Sequence, residues 1–354
     1  MYENIEIFAG DKAAEIIREK GLKEDDIKTI VGASGGPKFL VLSGLDKSIL
    51  NTWFKKRTEP LFFIGSSIGS WRGAAYAAKK PVETLDRFTE SYLKQHYTSK
   101  PSRKEVTDES IRIINDFLKD EDIDFILNKS KINLNIISAQ CRGISSLESN
   151  IALALSFIPA AIVNLFSRKL LLKIYTRTLF YDSRNTPPFI DSFKTGNRIK
   201  LTGKNFEQAL LSSGSIPFVM EGIKNIPGAP NGTYRDGGLT DYHINIDFGI
   251  KDGIVLFPHF SSRVIPGWLD KSISWRGPVK KYFSNTVLVA PSKNFIESLP
   301  MGKIPDRTDF KTFFGRDSER LKYWNEVIKK SSIAGDEFME AVSSGKIKDM
   351  IKSF

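Results

Sequence analysis

Short apolar, β-branched runs alternate along the chain with stretches whose apolar residues recur at helical spacing. Ile27–Val31 reads as a strand that ends at Gly32-Ala33-Ser34-Gly35-Gly36. From Pro37 onward, Phe39, Leu40, Leu42, Leu45, Ile49 and Leu50 follow a helix period. Pro37 suits a first turn, where its missing N–H costs nothing. Leu61–Ile64 is a second apolar run, again followed by glycine and then by a small-residue helix, Trp71–Ala78. Two strand–glycine turn–helix units in succession predict an α/β fold with a largely parallel sheet.

Beyond them, Val82, Leu85, Phe88 and Tyr92 place helices within Pro81–Leu127. Strands are expected at Ile132–Ser138 and Arg177–Tyr181, then a helix from Asn205 to Leu211 closing near Gly214. Thr233–Arg235 leads into Asp236-Gly237-Gly238, and Ile254–Phe257 and Val287–Ala290 are late strands. The tail from about Ser318 is helical and rich in Lys. No internal repeat, low-complexity linker or composition shift marks a boundary. One domain over residues 1–354 is expected, with an apolar helical insertion at about 142–175 and a basic helical C-terminal extension at about 318–354.

The insertion breaks the pattern. Ile151 to Phe166 is 16 residues without a charge, interrupted by Pro159 and followed by Ser167-Arg168-Lys169-Leu170-Leu171-Leu172-Lys173. It is too short, and at Pro159 too kinked, to span a bilayer. Two readings stay open: a buried helical pair capping the core, or an apolar lid beside basic residues that docks on an anionic membrane and accepts acyl chains.

The hydrophobic fraction of 41% supports a real core. Lys and Arg number 52 against 41 Asp and Glu, a net charge of +11 that favours anionic partners without choosing among them. Zinc-finger spacing, an RNP-like aromatic motif and a dense basic arm are all missing, so nucleic acid is not an expected partner. Cys141 is the only cysteine, which rules out an internal disulfide and reads as a small buried hydrophobe. The acidic start, Met1-Tyr2-Glu3-Asn4-Ile5-Glu6, does not resemble a secretory signal. The expected location is the cytoplasm, with peripheral attachment to a membrane left open.

Three motifs carry chemistry. Gly65-Ser66-Ser67-Ile68-Gly69 follows a strand and precedes a helix, the context in which a Gly-x-Ser-x-Gly turn exposes a serine Oγ at the carboxyl end of a sheet. Ser34-Gly35-Gly36-Pro37-Lys38 presents backbone N–H groups to an anion at a helix start; Pro37 has none, so the donors are Gly35, Gly36 or Lys38. A phosphate-binding loop is the rival there, but the Gly-x-x-x-x-Gly-Lys-Ser/Thr and Gly-x-Gly-x-x-Gly patterns are both missing. Asp236-Gly237-Gly238 is either a plain turn or a general base whose glycines permit close backbone approach. A carboxylate needs a dry site and a short hydrogen bond to serve as base for a serine.

In this order the three motifs resemble the patatin-like phospholipase family. Ala209-Leu210-Leu211-Ser212-Ser213-Gly214-Ser215-Ile216-Pro217-Phe218 is similar to a fourth block of that family. The resemblance covers roughly residues 27 to 260 and implies a three-layer α/β/α sandwich with a largely parallel central sheet. It implies a lipid acyl hydrolase of the phospholipase A or lysophospholipase type, with a Ser–Asp dyad, no catalytic histidine, and neither metal nor other cofactor. Carried over by position, Ser67 is the nucleophile and Asp236 the base. Gly35, Gly36 and Lys38 form the oxyanion hole, and Gly65, Ile68, Gly69, Gly237 and Gly238 border the substrate. The chain departs from the family at Ser34 and Phe39, where further glycines are usual.

Two alternatives remain. An α/β-hydrolase triad would need a histidine, and of His96, His243 and His259 the last, closing the strand Ile254–Phe257, is the serious rival. His243 follows Asp236 closely enough to line the same cleft, whereas His96 reads as surface. The other alternative is a non-catalytic, lipid-binding protein on the same fold.

Overall fold

The structure, a computed structural model, describes residues 3–354; Met1 and Tyr2, which open the acidic N-terminal stretch, lie outside the described residues. In chain order the first elements are β1 (Ile5–Ala9), α1 (Asp11–Lys20), β2 (Ile27–Gly32), α2 (Ser43–Ser48), β3 (Leu61–Ser66) and α3 (Ile68–Ala77). Then come α4 (Pro81–Leu93), α5 (Arg103–Phe117), α6 (Asp120–Asn128), β4 (Ile132–Cys141), α7 (Asn150–Phe166), α8 (Arg168–Ile174) and β5 (Tyr175–Tyr181). They are followed by β6 (Asn197–Lys200), α9 (Phe206–Ser213), β7 (Ile223–Lys224), β8 (Thr233–Asp236), α10 (Gly238–Asp241), β9 (Ile254–Pro258) and β10 (Thr286–Pro291). The chain closes with α11 (Lys293–Ser298), α12 (Asp309–Thr312), α13 (Asp317–Ser343), α14 (Ile347–Met350) and β11 (Ile351–Ser353).

The sheet runs β11-β1-β10-β9-β2-β3-β4-β5-β6. Its centre, β10-β9-β2-β3-β4, is parallel throughout, while β1 against β10 and β5 against β4 are antiparallel. Every residue of β4, β9 and β10 is buried. Strands covered on both faces read as continuous apolar runs, which is how β9 and β10 stand in the sequence, whereas β4 buries Asn133, Asn135, Ser138 and Gln140 among its apolar residues. The fold is thus a mixed α/β sandwich with a mostly parallel sheet flanked by helices, and one hydrophobic cluster extends from Ile5 to Ile347.

Three elements differ from expectation. The segment after Pro37 is a 3-10 helix over Gly36–Leu42 that runs into α2 and then a π turn at Ile49–Trp53, rather than one α-helix. Pro159 does not break the apolar insertion: α7 continues through it for 17 residues. Pro159 and Leu155, whose carbonyl loses its N–H partner, are both exposed, so the missing bond falls on the solvent side of the helix. The C-terminal segment is no loose extension. Trp324, Val327, Phe338 and Ala341 form a fully buried stripe on α13, the Glu337 carboxylate accepts the N–H groups of Asn4 and Ile5, and β11 pairs with β1.

Candidate active site

Register alone brings the two candidate catalytic residues together. β4 carries β5 along one edge, and on the other edge β3 and β8 meet end to end. β3 runs parallel to β4 up to the pair Ser66↔Ile137, and β8 runs antiparallel to it up to Ser138↔Asp236. The carboxyl ends of β3 and β8 therefore converge over adjacent residues of β4. Ser67 follows one end and Asp236 forms the other, although 169 positions separate them in the chain.

Ser67 holds φ 56° and ψ −131°, a left-handed conformation that L-residues rarely adopt, at the turn between β3 and α3. Such strain persists only where the surroundings impose it. Close packing imposes it here: a Cβ on Gly69 would lie 2.0 Å from the Gly32 carbonyl oxygen, and one on Gly65 would lie 2.6 Å from the Gly69 backbone. Gly65 and Gly69 thus spend their missing side chains on helix–strand contact beneath the serine. The Ser67 N–H donates to Ser213 Oγ at 2.9 Å, and Ser213 Oγ donates in turn to the Ile137 carbonyl at 2.6 Å. The Gly237 N–H donates to the Ser213 carbonyl at 3.1 Å, and the Asp236 N–H to the Ser215 carbonyl at 2.9 Å. The Ser212–Ser215 stretch therefore braces the ends of both β3 and β8.

Ser67 Oγ donates to Asp236 Oδ2 at 2.6 Å, and the Gly238 N–H donates to Oδ1 at 2.7 Å. Both side chains are buried, at 5% and 6% exposure. Burial pushes the Asp236 carboxyl above its ordinary pKa, while the hydrogen bonds from Ser67 and Gly238 and the charges of Arg307 and Lys271 pull it back. Desolvation of this kind makes a carboxylate a stronger base. The dry site and the short bond that a Ser–carboxylate pair requires are both present.

The glycine loop stands opposite. Gly36 has φ 57°, and the Lys38 N–H turns inward toward the Gly35 carbonyl at 3.5 Å. The N–H groups of Gly35 and Gly36 have no hydrogen-bond partner among the described residues. Ile68, buried at the first turn of α3, is the neighbour of Ser67 on the other side. The residues at the two departures from glycine are fully used. Ser34 Oγ donates to Ser66 Oγ at 3.0 Å, and the Phe39 ring stacks on Phe88 at 4.7 Å.

Among the described residues no hydrogen bond joins Ser67 to a histidine. His259 Nδ1 accepts the Ser261 N–H at 3.0 Å, His243 Nδ1 accepts the Ile265 N–H at 2.9 Å, and the two rings pack edge to face at 4.2 Å. Burial drives His259 down to about 3 and His243 well below the ordinary histidine value, so both are neutral core residues. His96 lies exposed beside Asp317. Cys141 is buried, and burial pushes its thiol up to about 12.

No protein-family model and no curated protein matches the chain. Among solved structures, VipD from Legionella pneumophila is similar at 14% identity with a TM-score of 0.29, over 73% of this chain and 53% of that one. The chain spans about half the length of that protein.

Around Ser67 and Asp236 lie three cations, of which only Lys38 belongs to a motif legible in the sequence. Lys38 Nζ sits 4.8 Å from the Phe260 ring centre, Lys271 Nζ 3.9 Å from that of Tyr242, and the Arg307 guanidinium 6.0 Å from that of Trp268. Next to them, α7 turns its apolar side outward: Ile151, Leu155, Ile158, Ile162, Leu165 and Phe166 are 46% to 80% exposed. Its buried side carries Leu153, Ser156, Ala160 and Asn164. Asn164 donates to the fully buried Asp270 at 2.6 Å; Arg168 and Arg276 hold the same carboxylate, and Arg168 also donates to the Thr240 carbonyl in α10 at 2.6 Å. A polar anchor thus fixes this inverted helix next to the Asp236 turn. No described helix is long and apolar enough to cross a membrane.

Proposed function

We propose that the protein is a serine acyl-ester hydrolase acting on lipid esters at an anionic membrane surface. The buried 2.6 Å bond from Ser67 to Asp236, at a strained strand-to-helix turn, carries the reading. Asp236 takes the Oγ proton as Ser67 attacks the ester carbonyl. The Gly35 and Gly36 N–H groups stabilise the oxyanion, worth about 3 kcal/mol per donor in comparable sites. The protonated Asp236 then delivers its proton to the leaving alcohol, giving an acyl-Ser67 ester. Water, deprotonated by Asp236, attacks that ester, and the proton returns to Ser67 as the acid departs.

The outward face of α7 supports the choice of a lipid surface. A helix anchored with its apolar side in water gains free energy by entering the boundary between headgroups and acyl chains. The exposed Arg142, Lys169 and Lys173 flank it and match anionic headgroups. A fluorophosphonate probe tests the chemistry. The wild-type protein is labelled, Ser67→Ala is not, and Ser67→Ala retains the wild-type Tm. Equal labelling of both, or none of the folded wild type, refutes the hydrolase reading.

A further inference from the structure

Lys38, Lys271 and Arg307 come from three separate parts of the chain and converge on the oxyanion turn. Lys38 belongs to that turn. The Arg307 stem packs on it, with Cγ 3.1 Å from where a Cβ on Gly36 would lie. Lys271 rests on Tyr242, whose carbonyl accepts the Ser34 N–H, and shares the Trp268 ring with Arg307. Aromatic faces, not carboxylates, support these cations: none has an ion-pair partner among the described residues. The nearby Asp306 is engaged by Lys303 and Thr308.

Arg307 and Lys271 act on the buried Asp236, while Arg307 and Lys38 both repel Lys271. Burial, then Arg307 and Lys38, bring Lys271 down to about 8, and burial lowers Lys38 as well. An arrangement that costs free energy when empty and gains it when an anion enters has the character of a binding site.

We infer that Lys271 and Arg307, backed by Lys38, form a subsite beside Ser67 for the phosphate of an anionic lipid headgroup. This assignment rests on the reading of Ser67 as the nucleophile of a lipid ester hydrolase. The guanidinium and ammonium groups supply charge-assisted hydrogen bonds to phosphate oxygens. Choline headgroups are excluded by the same geometry. The Tyr242 and Trp268 faces that would hold a quaternary ammonium are already occupied by Lys271 and Arg307. A phosphomonoester, or a phosphodiester without a compensating amine, matches the surplus of positive charge.

The test measures binding to Ser67→Ala, which cannot turn over, using lysophosphatidic acid, lysophosphatidylcholine and monoacylglycerol of one chain length. Inorganic phosphate and glycerol 3-phosphate complete the set. Lysophosphatidic acid binds about tenfold or more tightly than either other lipid, as one charged hydrogen-bonding partner dictates. Adding Arg307→Gln or Lys271→Gln lowers the ratio of lysophosphatidic acid to monoacylglycerol affinity about tenfold, whereas Arg307→Lys restores part of it. Lys80→Gln, an exposed pair partner of Glu83, leaves the ratio unchanged. Equal affinity for the three lipids, or a ratio unmoved in both glutamine variants, overturns the subsite. Inorganic phosphate binding as tightly as the lysolipid overturns the headgroup assignment in favour of a free-anion site. Turnover by the wild-type protein is read separately. A selective subsite in a protein without esterase activity removes the hydrolase reading and keeps the subsite.

Discussion

Replacing Leu155 and Ile162 together with serine probes the outward face of α7 without touching the dyad. Burying a Leu or Ile side chain completely is worth about 2 kcal/mol. Both residues are 55% exposed, so each keeps about 1 kcal/mol in reserve for a bilayer. Over the six exposed residues the reserve is on the order of 7 kcal/mol. Removing about 2 kcal/mol of it predicts a loss of about 30-fold in membrane partitioning. The fold loses the other part, about 1 kcal/mol at each position from the buried portion of the side chain together with about 0.5 kcal/mol or less of helix propensity, which in a chain of 354 residues moves Tm by only a few degrees. Flotation with phosphatidylserine-containing and with purely phosphatidylcholine vesicles measures the first quantity, and thermal unfolding the second. The expected result is strong binding of the wild type to the anionic vesicles, a large loss in the double variant, and a Tm lowered by only a few degrees. Unchanged flotation refutes the membrane role. A collapse of Tm refutes the premise, since it means that this face packs against the protein body.

The raised pKa of Asp236 has two consequences. As base it must be ionised, so the acid limb of the kcat/KM profile lies above the ordinary carboxylate range, and a limb near pH 4 or below contradicts the assignment. On stability the sign is opposite to that of a salt-bridged carboxylate. The folded state favours the protonated form, so ionisation above the raised pKa costs stability, and the folded protein gains as pH falls through that value. Asp236→Asn therefore abolishes turnover while holding or raising Tm at neutral pH. His259→Ala leaves a cavity in the core and lowers Tm, yet retains fluorophosphonate labelling at Ser67; loss of labelling in folded protein at low temperature restores the histidine triad.

β2, β3, β9 and β10 were legible as apolar runs because both of their faces are covered, so burial wrote itself into consecutive residues. The elbow at Ser67 was legible for a related reason. Only glycine fits where α3 crosses β2 and β3, so the steric demand appears as letters. The edges of the sheet were not. β1 alternates buried and half-buried positions, and β6 and β11 are three or four residues long. Their identity as strands depends on what pairs with them. The stripe on α13 was masked by the lysines between its buried positions.

Local chemistry, then, was determined by sequence: a serine turn between glycines, a glycine loop with one proline, an aspartate before two glycines, and a helix without a charge over 16 residues. Each is a constraint that neighbouring residues satisfy among themselves. Three matters were decided only by tertiary structure. The register of β3 and β8 on β4 made Asp236, rather than a histidine, the partner of Ser67. The Asp270 network chose which side of α7 faces water, a choice that periodicity leaves undetermined because it specifies a helical face but not its orientation. Lys271 and Arg307 joined Lys38 through loops that share no motif. Charge acts through space, and its partners are set by where the chain returns rather than by what lies beside it in sequence.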